Sequence, residues 1–117
     1  MMRSVVAAAV IALTISQAAA AQEIGAFFTG DTLLALCSSA DGHDQFRCLG
    51  YVEGLNDSRE MFDNSQFGKR LCFPKGTTSG QLRDVVVRYL NEQPNMRRLL
   101  AAQLVFISLA GAYPCRP

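Results

Sequence analysis

Four cysteines, Cys37, Cys48, Cys72 and Cys115, are spread through a chain of 117 residues. An even number in a short chain reads as two disulfides when the chain is exported. Zinc sites bring their ligands in close pairs, about two to four residues apart. The separations here are 11, 24 and 43 residues. Thiol redox catalysis wants Cys-x-x-Cys, which is absent. The cysteines therefore read as structural, with no metal and no cofactor expected.

Export is written at the N-terminus. Arg3 is followed by an apolar run from Val5 to Ile15 and then by the small residues Ala19-Ala20-Ala21. Positive, apolar, small is the order of a secretory signal peptide. The apolar run covers 11 positions, whereas a spanning helix needs about 20. Cleavage is expected after residue 21, so that Gln22 opens the mature chain and 22–117 forms one domain. No membrane attachment is expected after cleavage; Val105 to Tyr113 is apolar but short.

The full chain carries 11 basic and 10 acidic side chains. Without Arg3 the balance is even, and no block of like charge exists. Nucleic acid and anionic membrane are therefore not expected as partners.

The residue pattern predicts an all-α fold, a small disulfide-stapled bundle of about four helices. Thr29 can cap a first helix running to about Ser39, with Leu33, Leu36 and Cys37 on one face and Asp31 suiting its first turn. A polar turn containing Gly42 leads to a second helix from about Asp44 to Phe62. Cys48, Leu49, Val52, Leu55 and Phe62 recur there at three- and four-residue spacing. Gly50 and Gly54 fall on this helix, where glycine costs about 1 kcal/mol against alanine; both are expected at a helix crossing. Asp63 to Pro74 carries turn signals. Thr78-Ser79-Gly80-Gln81 matches a capping box, opening a third helix with Leu82, Val85, Val86, Tyr89 and Leu90 as its stripe. Pro94 suits the start of a fourth, with Met96, Leu99, Leu100, Gln103, Phe106, Ile107 and Ala110 on its stripe. Lys69 to Phe73 is the one weak strand candidate.

The search for chemistry returns structural readings. His43 has no orienting partner or nucleophile and reads as a solvated turn histidine. Glu53 and Asp57 lie four apart, as a wet helix face or as partners for arginine. No phosphate loop, dinucleotide fingerprint or metal motif appears. The aromatic residues fall mostly on core stripes. Phe67, in a polar loop, is the exception. No enzyme is expected, because no acid–base or nucleophile set can be assembled.

Several residues in order do carry a resemblance. They are Phe28-Thr29-Gly30, Leu34 and Cys37, then Cys48-Leu49-Gly50-Tyr51-Val52-Glu53-Gly54 with Asp57. Cys72-Phe73-Pro74, Gln81-Leu82, Tyr89-Leu90, Pro94 and Tyr113-Pro114-Cys115 follow. Over essentially the whole mature chain this resembles the Rap/Tai family of type VI secretion amidase immunity proteins. The resemblance implies a small periplasmic helical protein, often a homodimer, that binds a secreted peptidoglycan amidase effector and blocks its active site. The competing class is a periplasmic helical binding module for a small molecule, lipid or unfolded chain, which calls for an apolar pocket or groove between helices.

Two finer expectations come from the residues themselves. Four cysteines allow three connectivities. Cys37 and Cys48 lie symmetrically about the expected turn between the first two helices, which predicts Cys37–Cys48 and leaves Cys72–Cys115. The segment from Asp63 to Arg70 is expected to be the main partner-binding surface. It combines Asp63, Asn64, Ser65 and Gln66 with Phe67, Lys69 and Arg70, and aromatic and arginine side chains are favoured at binding hot spots.

Overall fold

A computed structural model describes residues 27–59 and 71–116. Across them run four α-helices: α1 Gly30–Ser38, α2 Gly42–Ser58, α3 Ser79–Glu92 and α4 Ala101–Ala112, with a 3-10 turn at Pro94–Met96. Among the described residues there is no strand, only two isolated bridges, Thr29 with Leu100 and Leu71 with Pro114. The all-α expectation is borne out. Leu71 bridging Pro114 is what the weak strand signal amounts to within the described residues. The expected signal peptide, residues 1–21, lies outside them. Among the described residues no helix is long and apolar enough to cross a membrane.

Local chemistry sets the helix starts. Thr29 caps α1, its Oγ1 accepting from the Thr32 N–H at 3.3 Å. The Thr78 hydroxyl accepts from the Gln81 N–H while the Gln81 side chain accepts from the Thr78 N–H at 2.9 Å, completing the capping box of α3. α2 begins at Gly42, two residues earlier than expected. Its cap is Asp41, whose carboxylate accepts from the N–H groups of His43 and Asp44 at 2.8 and 3.2 Å. A carboxylate also suits the positive end of a helix. The turn between α1 and α2 is therefore only Ser39–Asp41, and His43 lies exposed in the first turn of α2. α2 ends at Ser58; Phe62, expected as its last residue, lies outside the described residues.

α3 touches the other three helices, and the core forms around it. Leu82, Val86 and Leu90 from α3 meet Leu33 and Leu36 from α1, Cys48 and Val52 from α2, and Leu104, Val105 and Leu109 from α4. The stripes expected for the first three helices are the ones buried, with Leu49, Leu55, Val85 and Tyr89 half-buried at their edges.

α4 departs from expectation in start and phase. It begins at Ala101, not Pro94, and buries Ala101, Leu104, Val105, Ser108 and Leu109. Gln103 is exposed and Leu100 is half exposed. The start is displaced because the strip before α4 bonds to the chain entering α1. The carbonyl of Leu99 accepts from the Gly30 N–H at 3.0 Å, the carbonyl of Arg97 from the Asp31 N–H at 2.9 Å, and the carbonyl of Phe28 from the Ala101 N–H at 3.0 Å. Backbone groups committed to another segment cannot continue a helix ladder.

The glycines are also redistributed. A β-carbon on Gly50 or Gly54 would meet nothing within 4 Å, so among the described residues neither sits at a helix crossing. The close approach is at Gly30, where a β-carbon would stand 2.6 Å from Leu104 Cδ1 and 2.8 Å from the Arg97 Cα. Phe46 and Phe27 are 75% and 90% exposed.

Both disulfides form with the expected pairing, Cys37–Cys48 and Cys72–Cys115, at Cα separations of 5.0 and 4.9 Å. The symmetry that suggested the first pair does not hold, because the turn lies nearer Cys37. Gln45 bridges that offset: its Nε2 donates to the carbonyl of Cys37 at 3.0 Å and to that of Ser39.

Candidate functional site

The expected binding segment, Asp63, Asn64, Ser65, Gln66, Phe67, Lys69 and Arg70, lies outside the described residues. What is described is how the chain on either side of it is held. At its near side Arg59 closes α2. The Arg59 guanidinium donates to the carbonyl of Leu71 at 3.4 Å and lies over the Phe73 ring at 4.8 Å. At its far side Leu71 is buried and bridges Pro114. The Cys72 N–H donates to the carbonyl of Tyr113 at 2.9 Å, next to the Cys72–Cys115 disulfide. The Phe73 and Tyr113 rings pack edge to face at 4.9 Å. One arginine thus bridges residues 12 apart in sequence, and the chain between them starts and ends at one anchored place.

Beside this anchor a groove runs along α3. Its first part, about 360 Å³, lies between the turn Pro74–Thr77 and α3, with Gln81, Asp84, Val85 and Tyr113 on its walls. Gly76 makes the turn possible, with φ of 85°, a left-handed value that suits glycine. The second part, about 380 Å³, continues between α3 and α4 from Val85 past Arg88, Tyr89 and Glu92 to Ile107 and Gly111. Val85 lines both hollows, which carry charged residues of both signs, Lys75 and Asp84 in the first and Arg88 and Glu92 in the second. Their linings carry no histidine, cysteine or serine–base pair to supply a nucleophile. Arg83 faces elsewhere: it donates to Gln45 Oε1 at 3.3 Å and pairs with Asp84 at 3.1 Å. The groove was not legible in the sequence, because Val85 and Tyr89 read there only as core.

The remaining polar candidates stay apart. Glu53 and Asp57 are exposed on α2. Arg47, in the same helix, makes a long ion pair with Asp44 at 4.0 Å and lies over the Phe28 ring at 5.8 Å. Phe28 in turn packs against Tyr51, ring centroids 4.9 Å apart. Burial pushes the Tyr51 phenol above its ordinary value of 10.0, and a backbone hydrogen bond at Ala102 pulls it partway back. That phenol reports packing between α2 and α4.

A family model described as Rap1a immunity proteins matches residues 29–115. That span runs from the cap of α1 to the last cysteine and holds both disulfides. The chain belongs to the Rap1a immunity protein family. No curated protein and no solved structure matches it. As a Rap1a immunity protein it is of the class that binds a secreted effector. The family match covers the anchor at Arg59, Leu71 and Tyr113 and the groove along α3. The two disulfides fit an oxidising compartment.

Proposed function

We propose that this protein is exported to the periplasm after loss of residues 1–21, binds a type VI secreted peptidoglycan amidase there, and blocks its active site. The observation that carries the reading is the family match across residues 29–115, which takes in all four helices of the described residues. Inhibition by occlusion needs no catalytic group in the inhibitor. It needs a rigid scaffold that loses little freedom on binding. Two disulfides and paired anchors at Arg59 and Leu71 supply that rigidity.

The contact surface in this proposal is the segment Asp63–Arg70, with Phe67 and Lys69-Arg70 at its centre, together with the exposed α3 residues Asp84 and Arg88. The described residues that flank it, Arg59 and Leu71, are hydrogen-bonded to each other, which suits a contact surface carried on a rigid frame. Asp84, Arg88 and Glu92 on the groove rim can pair with charges around that cleft.

Calorimetry tests the reading. The oxidised protein is titrated into type VI secreted peptidoglycan amidases, and a 1:1 ratio of chains with tight binding to one of them is expected. Absence of binding to any such effector would overturn the proposal. Phe67→Ala combined with Arg70→Ala is expected to weaken binding about tenfold or more at an unchanged melting temperature.

A further inference from the structure

The two disulfides sit in opposite surroundings. Cys37 and Cys48 belong to the core cluster and are 6% and 0% exposed. Cys72 and Cys115 lie outside that cluster, and both are exposed. Cys115 follows the end of α4 at Ala112, in a stretch from Pro114 to Arg116 that is exposed throughout. Cys72 lies in the non-helical chain that leads into the turn Pro74–Thr77.

Thiol–disulfide exchange requires a thiolate to reach a sulfur. A bond buried in the core is closed to attack until the helices part. An exposed bond is open to attack in the folded state, and exposed disulfides are the labile ones. Of the residues next to the second bond, Leu71 to Phe73 and Tyr113 to Arg116, only Leu71 is buried. Opening that bond therefore leaves the packing between the four helices in place.

We infer that Cys72–Cys115 is a thiol–disulfide exchange site for a dithiol oxidoreductase, which opens this bond in the folded protein and leaves Cys37–Cys48 closed. In the first step a thiolate of the reductant bonds to Cys72 Sγ, the Cys72–Cys115 bond breaks, and Cys115 leaves as a thiolate. Arg116, next in the chain, supplies a cation beside that leaving group, and a neighbouring cation favours a thiolate. In the second step the reductant's other thiolate attacks the reductant sulfur of the mixed disulfide and releases Cys72. The reductant ends as a disulfide, oxidised by two electrons. Cys72 and Cys115 end as thiols, with the two protons that the reductant gave up.

The geometry selects a reductant with two thiols. After the first step three contacts still hold the chain at Cys72 to the chain at Cys115. They are the Leu71–Pro114 bridge, the hydrogen bond from the Cys72 N–H to the Tyr113 carbonyl at 2.9 Å, and the Phe73–Tyr113 ring contact. The Cys115 thiolate thus stays beside Cys72 at high effective concentration and expels a monothiol. A dithiol competes, because its second thiol is tethered as well. The exchange is independent of which effector is bound.

Timed alkylation of the wild-type protein tests the inference. The oxidised protein is incubated with reduced thioredoxin, dithiothreitol or 2-mercaptoethanol at matched thiol concentration, and the alkylated cysteines are mapped by mass spectrometry. With either dithiol, Cys72 and Cys115 are expected to label at least about tenfold faster than Cys37 and Cys48, with the far-UV circular dichroism unchanged. The monothiol is expected to give a much smaller yield. A thioredoxin variant with serine in place of its resolving cysteine is expected to be trapped on Cys72. Labelling of all four cysteines at one rate overturns the proposal, as does loss of helix content when Cys72–Cys115 opens. So does a monothiol as effective as the dithiols, or a trap on any cysteine other than Cys72.

Discussion

Gly30 stands directly against the backbone of Arg97: a β-carbon on Gly30 would lie 2.8 Å from both the Cα and the carbonyl oxygen of Arg97. The same arginine donates from Nε to the carbonyl of Leu90 at 2.7 Å, near the C-terminal end of α3. One contact thus locks the start of α1 to the connection between α3 and α4. Gly30→Ala is expected to destabilise the fold by about 1–3 kcal/mol, the usual scale for overpacking, because backbone cannot swing aside as a side chain can. Gly50→Ala, in open space, is expected to stabilise by up to about 1 kcal/mol. Chemical denaturation of both variants at dilute concentration checks the contrast; equal effects would contradict it.

The disulfides differ in what they hold. In the chain-entropy model, loops closed across separations of 11 and 43 residues stabilise by about 3 and about 4 kcal/mol. Removing Cys37 and Cys48 together is expected to lower the melting temperature while leaving effector binding intact in the fraction that stays folded. Removing Cys72 and Cys115 also loosens Leu71 from Pro114 and Phe73 from Tyr113, so binding should weaken as well. Melting curves paired with calorimetry separate the two. Equal loss of binding from both pairs would show that the anchor near Leu71 has no special part.

Tyr51 sets an alkaline limit. Its folded-state value lies above the ordinary 10.0 because burial disfavours the phenolate. Between the two values the unfolded chain has already lost the proton that the folded chain keeps, so stability falls as pH rises above about 10. Below that, the contribution is fully present. Tyr51→Phe is expected to flatten this decline in a denaturation series from neutral to alkaline pH. An unchanged slope would place the alkaline sensitivity elsewhere.

Much of the fold is legible in the residues. Thr78 and Gln81 specify the start of α3 by local hydrogen bonding alone, and the stripes of the first three helices follow from periodicity. The phase of α4 is not, because Ala101–Ala112 is apolar on nearly every side and period carries no information there. Its start depends on Gly30 and Asp31, some seventy residues away in sequence, which no local pattern reports. Gly50 and Gly54 looked like crossing residues for a sound reason, but the crossing lies at Gly30. For the cysteines, the expected pairing formed, but the turn symmetry that suggested it did not hold, because Asp41 caps α2 earlier than the pattern implied. The groove was not legible, since it arises only when Val85 and Tyr89 at the edge of the α3 stripe meet Ile107 and Gly111 of α4.

The groove and the segment Asp63–Arg70 are separable as contact surfaces. Asp84→Arg with Arg88→Glu reverses the charge of the rim at two exposed positions. Slower association is expected, with a dissociation rate nearly unchanged, as for charges at an interface rim. Phe67→Ala is expected to act mainly on dissociation. Surface plasmon resonance distinguishes them, and a rim variant with unaltered association would remove the groove from the interface.

The most direct measurement is hydrolysis of purified peptidoglycan by the type VI secreted amidase that the protein binds, followed while the oxidised protein is titrated in. The account predicts that release of the cleaved peptide falls in proportion to added protein and stops at about one protein chain per amidase, as tight occlusion of an active site requires. Amidase activity that continues undiminished with the protein bound, or in large excess, would contradict it.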